Sequence, residues 1–106
     1  MNTKISEIAV EDVKNYLRIT EITAKDTMYL HTILKASIDF IKNYTGLENE
    51  DLDKYSDLVV VVYILCQDMY DNRSYYVDST NINKVVQTIL DMHSRNLLWM
   101  LVNIIN

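Results

Sequence analysis

The sequence predicts an all-α protein, a compact bundle of about four helices (short, long, buried central and closing) followed by an apolar C-terminal tail. Three observations predict this fold. The 106-residue chain contains no proline and one glycine, and such breaker-free stretches favour helices over a turn-rich β fold. Apolar side chains recur at helical spacing in four segments. The length is that of one domain with one core, so residues 1–106 are expected to form a single domain.

The first two helices are predicted at about residues 10–18 and 24–44, where apolar side chains recur every three or four positions. Thr23 is expected to cap the second helix, with Asp26 three residues later. Gly46 is expected to end it, because glycine adopts the left-handed conformation after a helix without steric cost.

The third and fourth helices are predicted at about residues 56–72 and 81–94. The third contains LVVVVYILC, which also fits a buried strand, but the apolar pattern continues beyond the length of a typical strand. Such an all-round apolar helix is expected to lie centrally. Asp78, Ser79 or Thr80 is expected to cap the fourth helix. Its apolar stripe contains Ile82, Val85, Val86, Ile89, Leu90 and His93. The acidic segment before the third helix has room for a short helical turn.

Composition argues against most chemical functions. The net charge of −5 disfavours a broad nucleic-acid interface, which neutralises phosphates with Lys and Arg. The residues His31, His93 and Cys66 show no metal-ligand spacing. Cys66 also lies in the most apolar helix, where a thiol stays protonated and inert. No catalytic, cofactor or metal site is therefore expected.

The most unusual polar stretch is DMYDNRSYYVDSTN, which places Tyr70, Tyr75 and Tyr76 around Arg73. Tyrosine and arginine are enriched at protein interfaces, since they combine contact area with hydrogen bonds. The alternative is structural: Arg73 would interact with the last carbonyls of the third helix, and the tyrosines would cover the edge of the core. Composition alone leaves both interpretations open.

Four segments occur in an order that resembles a known family. They are EDVKNYLRI, LHTILKASIDFIKNYTGL, VVVYILCQDMYDNRSYY and VVQTILDMHSRNLL. Together they resemble the small head–tail connector (adaptor) proteins of tailed bacteriophages and prophages, and MHSRNLL is similar to the version in Gram-positive phages. The resemblance covers nearly the whole chain and depends on the ordered set rather than on any one segment.

The resemblance implies a structural virion protein at the head–tail junction, made in the cytoplasm of the bacterial host. It implies a homo-oligomeric ring of about twelve subunits beneath the portal protein, which extends the DNA channel and provides a platform for the neck or tail-completion protein. DNA would pass through without sequence-specific binding. Tyr70, Asn72 and Arg73 match the family pattern and are expected at subunit contacts, with Arg73 paired to a carboxylate across the interface. Tyr75 and Tyr76 join them on composition alone.

The closing segment NLLWMLVNIIN contains eight apolar side chains, whose full burial would contribute roughly 12–24 kcal/mol as an upper bound. It is shorter than the about twenty residues that span a bilayer, and it lacks the Lys or Arg of an interfacial helix after Arg95. No membrane partner is therefore expected. Residues 95–106 are predicted to be a docking tail, with a core role left open for Leu97, Leu98 and Leu101, which could fold back on the subunit. The side chains expected to contact the portal or a neighbouring subunit are Trp99, Met100, Val102, Ile104 and Ile105.

Two other functions compete with the connector. The first is a small helical adaptor or regulator that binds one protein partner through the same apolar tail. The second is a DNA-binding helical protein, which the negative charge and the presence of only three arginines disfavour.

Overall fold

The computed structural model describes residues 3–95. This range is helical and contains no β-strand, which confirms the predicted all-α class. The elements are a 3₁₀ turn at Ile5–Glu7, α1 at Val10–Tyr16, α2 at Ala24–Thr45, α3 at Asn49–Leu52, α4 at Asp57–Asp71 and α5 at Lys84–Met92.

The long helix α2 begins and ends where the sequence predicts. The Thr23 hydroxyl accepts a hydrogen bond from the N–H of Asp26 at 3.1 Å, and the Asp26 carboxylate accepts one from the N–H of Thr23 at 3.3 Å. These two bonds form a capping box. Gly46 follows the helix with a φ of 73°, the left-handed conformation that only glycine adopts without a steric penalty. Both ends of α2 are therefore fixed by local chemistry.

The helix α4 is the centre of the core, and α1, α2 and α5 all pack against it. Packing against three helices explains its apolar sequence, because most of its surface is covered. A narrow face remains open to solvent, where Val60 is 39% exposed. The packing confirms the predicted central helix and rejects the strand alternative. Its buried side chains are Leu58, Val59, Val61, Val62, Tyr63, Leu65, Cys66 and Met69.

The helices α2 and α5 both run antiparallel to α4. Near one end of the bundle, the Tyr29 hydroxyl of α2 lies 2.9 Å from the Met69 carbonyl oxygen of α4. Near the other end, the imidazole of His93 after α5 lies 2.8 Å from the carboxylate of Asp57 at the start of α4. The start of α2 and the end of α4 therefore share one end of the bundle.

The helix α5 begins at residue 84, three residues later than predicted. Its cap is Asn83, whose side chain accepts a hydrogen bond from the N–H of Val85 at 2.7 Å. The predicted caps Asp78, Ser79 and Thr80 are wrong. The Asp78 carboxylate instead accepts hydrogen bonds from the N–H of Thr80 at 3.0 Å and from its hydroxyl at 2.6 Å. This closed turn uses the carboxylate locally, so the helix starts further along the chain.

Only some of the side chains in the predicted apolar stripe of α5 are buried in the core. Val86 and Leu90, four residues apart, are fully buried, whereas Val85 is 61% exposed. Val85 therefore belongs to the surface rather than to the core-facing stripe that the spacing predicted.

Candidate functional site

The predicted contact residues cluster where α4 ends. The side-chain amide of Asn72 donates a hydrogen bond to the Asp68 carbonyl at 2.8 Å. The N–H of Ser74 donates to the Met69 carbonyl at 2.9 Å, which closes a Schellman motif. Between them, Arg73 has a φ of 51°, in the left-handed position that glycine usually occupies. The end of α4 is therefore a fixed turn that carries an arginine at a strained backbone position.

Tyr29 of α2 stabilises this turn. Its hydroxyl lies 2.9 Å from the carbonyl oxygen of Met69 and 2.8 Å from that of Ser74, so the two carbonyls share its proton. Its ring contacts the rings of Tyr70 and Tyr75, with centroids 6.2 and 5.1 Å away. Burial raises the pKa of the Tyr29 hydroxyl. The three tyrosines therefore join the start of α2 to the end of α4.

Tyr29 is a member of this cluster that was not predicted from the sequence. Its position four residues before the buried Ile33 is the signal that could have found it. That spacing places both side chains on one face of α2 and extends the apolar stripe by one turn.

An open groove of about 380 Å³ lies beside the turn. Its lining residues are Lys25, Asp26, Met28, Tyr29, Thr32, Arg73 and Tyr75. The guanidinium carbon of Arg73 lies 4.5 Å from the centre of the Tyr70 ring, a cation–π contact. Between residues 3 and 95, no carboxylate forms an ion pair with Arg73. Its pairing with a carboxylate of a neighbouring subunit stays a prediction.

The structure brings the five predicted contact residues to one end of the bundle and places four of them in two different grooves. Arg73 and Tyr75 line the groove described above, and Tyr75 is 64% exposed. Asn72 and Tyr76 line a second, more polar groove on the other side of the turn, and Tyr76 is 70% exposed. Tyr70 is half-buried beneath the Arg73 guanidinium. One end of the bundle thus carries two exposed aromatic rings and an exposed cation.

A family model described as phage gp6-like head-tail connector protein matches residues 7–101, which include all five α-helices and the turn at Arg73. The chain belongs to this family. The match confirms the head–tail connector resemblance found in the sequence. No curated protein and no solved structure matches the chain. The connector is therefore a structural phage protein of the head–tail junction, and its family is one of structural proteins.

Residues 93–95, which precede the apolar tail in the sequence, are held against the helical bundle by an ion pair and hydrogen bonds. Both carboxylate oxygens of Asp57 lie within 3.0 Å of the His93 imidazole. Arg95 forms an ion pair with Asp51 at 2.9 Å. Hydrogen bonds from Lys54 and Arg95 lower the pKa of the Asp51 carboxyl. Residues 93–95 are thus held against the start of α4 and against α3.

A second set of contacts ties the end of α5 to α2. The Tyr44 hydroxyl donates a hydrogen bond to the Asp91 carboxylate at 2.6 Å, and this bond, with burial, raises the pKa of Tyr44. Ser94 is buried, and its hydroxyl donates to the Tyr44 carbonyl at 3.4 Å. The predicted docking residues follow this point and lie outside the described residues: Trp99, Met100, Val102, Ile104 and Ile105.

The single cysteine of the connector is part of the core. Cys66 is buried beside Ser37, with 3.3 Å between sulfur and hydroxyl oxygen. Burial raises the pKa of the Cys66 thiol to about 11, which confirms the predicted protonated thiol. His31 is exposed on α2. Residues 3–95 contain no group of His, Cys, Asp or Glu side chains that could bind a metal ion. No helix in this range is long and apolar enough to cross a bilayer.

Proposed function

We propose that this connector assembles with copies of itself into a ring of about twelve subunits beneath the portal protein. The ring extends the DNA channel below the capsid vertex and provides the platform on which the neck or tail-completion protein assembles. The observation that carries this proposal is the family match over residues 7–101. The protein would be made in the cytoplasm of its bacterial host, with a Gram-positive host as the sequence resemblance implies.

The charge of the chain supports a passive channel. A net charge of −5 gives the wall of such a ring no general attraction for phosphates, whereas a Lys/Arg-rich wall would bind the DNA electrostatically. DNA would therefore slide through without sequence-specific contacts.

The turn at the end of α4 is the proposed subunit contact, formed by Tyr70, Asn72, Arg73, Tyr75 and Tyr76. Two features support it. Exposed tyrosines beside an arginine are the side chains that dominate binding energy at protein interfaces. The Schellman motif that closes α4 also fixes the backbone at Arg73, so the arginine is presented from a rigid position at the end of the bundle.

The apolar C-terminal residues are the proposed docking tail for the portal or a neighbouring subunit, through Trp99, Met100, Val102, Ile104 and Ile105. The bonds that hold residues 91–95 on the bundle support this proposal, because they fix the position from which the tail departs. A chain ending at residue 98 should remain a folded helical subunit but fail to bind the portal. Unfolding of that truncated chain would instead make the tail part of the core.

The mass of the assembled protein tests the proposed function. Purified connector, alone and mixed with its portal, is measured by native mass spectrometry. A species of about twelve subunits, free or on the portal, is expected. A protein that stays monomeric or dimeric and does not bind the portal contradicts the proposal.

A further inference from the structure

Two grooves of opposite net charge lie at different positions on the bundle. The first, called the cationic groove, is the one lined by Lys25, Met28, Tyr29, Arg73 and Tyr75. Met28 is 72% and Tyr75 64% exposed, so the groove exposes apolar surface as well as two cations. Asp26 also lines this groove, and its carboxylate offsets one of the two cations. The groove therefore has a net charge of about +1 beside exposed apolar surface.

The second, called the acidic groove, lies between α3, the 3₁₀ turn and α2. Its apolar lining residues are Ile5, Ile8, Ile38 and Leu52, and its polar ones are Ser6, Asn49, Glu50 and Asp53. Asp53 accepts a hydrogen bond from the N–H of Ser6 at 3.0 Å, which occupies part of its carboxylate. Glu50 is exposed, and no ion pair joins it to any residue between 3 and 95. Its charge is thus available to a partner.

The two grooves lie at different positions along α2. Thr32 lines the cationic groove and Ile38 lines the acidic groove, and six residues of helix correspond to roughly 9 Å at 1.5 Å per residue. One chain therefore cannot place its own acidic groove against its own cationic groove, but two copies of the chain can do so.

We propose that the cationic groove of one subunit receives the α3 edge of the next subunit. This inference depends on the proposed ring and names its contact. Arg73 and Lys25 then face the neighbour's Glu50, while Met28 and Tyr75 pack on the apolar floor of the neighbour's acidic groove. Unlike surfaces that meet in this way form a heterologous contact, which closes into a ring when each copy repeats the same rotation.

A second copy fits the cationic groove better than the other ligands with negative charge. Every subunit carries both grooves. The grooves have opposite net charge and both expose apolar surface, so electrostatic attraction and apolar burial favour the same contact. A DNA phosphate would satisfy Lys25 and Arg73 but would leave the exposed Met28 and Tyr75 without an apolar partner. The acidic groove would in addition repel DNA.

Charge reversal and charge exchange test the proposal. Arg73→Glu and Glu50→Arg are expected each to raise the protein concentration for half-assembly at least about tenfold, because each places like charges in contact. The double variant Arg73→Glu with Glu50→Arg restores opposite charges and is expected to assemble near the wild-type concentration. Lys35→Glu is the matched control, since Lys35 pairs with Asp39 on the exposed surface of α2 and lies outside both grooves. Light scattering measures the assembled fraction. The portal protein is included if the wild-type chain forms a ring only in its presence.

The outcomes separate this inference from the proposed function. Loss of assembly in both single variants and recovery in the double variant supports the contact. Assembly of Arg73→Glu and Glu50→Arg at the wild-type concentration overturns it and leaves the ring intact. Loss with Arg73→Glu but not with Glu50→Arg also overturns it, because the groove then binds a different partner, such as the portal. A wild-type chain that forms no ring under any condition contradicts the proposed function itself.

A cross-linking measurement does not depend on the stability of the charge variants. Arg73→Cys protein is mixed with Glu50→Cys protein under oxidising conditions, and both substituted positions are exposed. A disulfide between the two chains is expected. Mixing Arg73→Cys with Lys35→Cys is the control, and equal cross-linking in both mixtures would overturn the contact.

Discussion

Replacing Tyr29 with phenylalanine removes one hydroxyl and leaves the ring contacts with Tyr70 and Tyr75 in place. The hydroxyl lies 2.9 Å from the Met69 carbonyl oxygen and 2.8 Å from that of Ser74. A net intramolecular hydrogen bond contributes about 0.5–1.5 kcal/mol to stability. The Met69 carbonyl keeps the hydrogen bond from the N–H of Ser74, so the loss should lie near the middle of that range. We expect Tyr29→Phe to lower the free energy of unfolding by about 1 kcal/mol, or the melting temperature by about 4–8 °C.

The assay is urea unfolding of Tyr29→Phe followed by circular dichroism, with melting temperatures from calorimetry. Tyr76→Phe is the matched control. Tyr76 is 70% exposed, and removing an exposed hydroxyl should change stability by less than about 0.5 kcal/mol. Equal stability of the two variants would refute the reasoning, because the Tyr29 hydroxyl would then not stabilise the end of α4.

Three further predictions concern single sites. Gly46→Ala should lower the free energy of unfolding by about 1 kcal/mol in a thermal melt, since its φ of 73° disfavours a β-carbon. Cys66 in the folded protein should react with iodoacetamide at least about a hundredfold more slowly than in urea, because burial raises the pKa of its thiol to about 11; equal rates would show an accessible thiolate. Hydrogen bonds from the hydroxyl and backbone N–H of Ser6 lower the pKa of Asp53, so their stabilisation is present above about pH 4 and is lost as pH falls further. In Asp53→Asn, the urea concentration at the unfolding midpoint should therefore fall less steeply as the pH is lowered below about 4. The same pH dependence in the variant and the wild type would contradict this assignment.

The regular helices were predictable because their ends depend on local chemistry. Thr23 with Asp26 and the lone Gly46 fix α2 through bonds between residues close in the chain. The start of α5 was not predictable in the same way. Asp78 and Asn83 both have side chains that can cap a helix, and the choice between them depended on the turn that Asp78 closes with Thr80.

The proposed contact surface was predictable in part. The sequence placed Tyr70, Arg73 and Tyr75 together because they are neighbours in the chain. It could not place Lys25 or Tyr29 beside them, because those residues are more than forty positions away from the turn. Their proximity depends on the antiparallel packing of α2 on α4, which brings the first turns of one helix to the last turn of the other.

The arginines at two left-handed positions provide a matched pair of variants. Arg73 and Arg18 both follow a helix with positive φ, at 51° and 60°, and both lie within Schellman motifs, closed by the hydrogen bonds from Ser74 to Met69 and from Ile19 to Lys14. Glycine fits both positions. Relief of backbone strain at Arg73, worth up to about 1 kcal/mol, should offset the loss of its exposed cation–π contact, worth about 0.5–1 kcal/mol. Neither Arg73→Gly nor Arg18→Gly should therefore unfold the subunit.

The assembly of these two variants, measured by native mass spectrometry over a concentration series with the portal present, tests the proposed subunit contact most directly. Arg73→Gly should raise the concentration for half-assembly at least about tenfold, while Arg18→Gly should assemble as the wild type does. A folded Arg73→Gly chain that forms the complete assembly at the wild-type concentration would contradict the assignment of this surface to the ring.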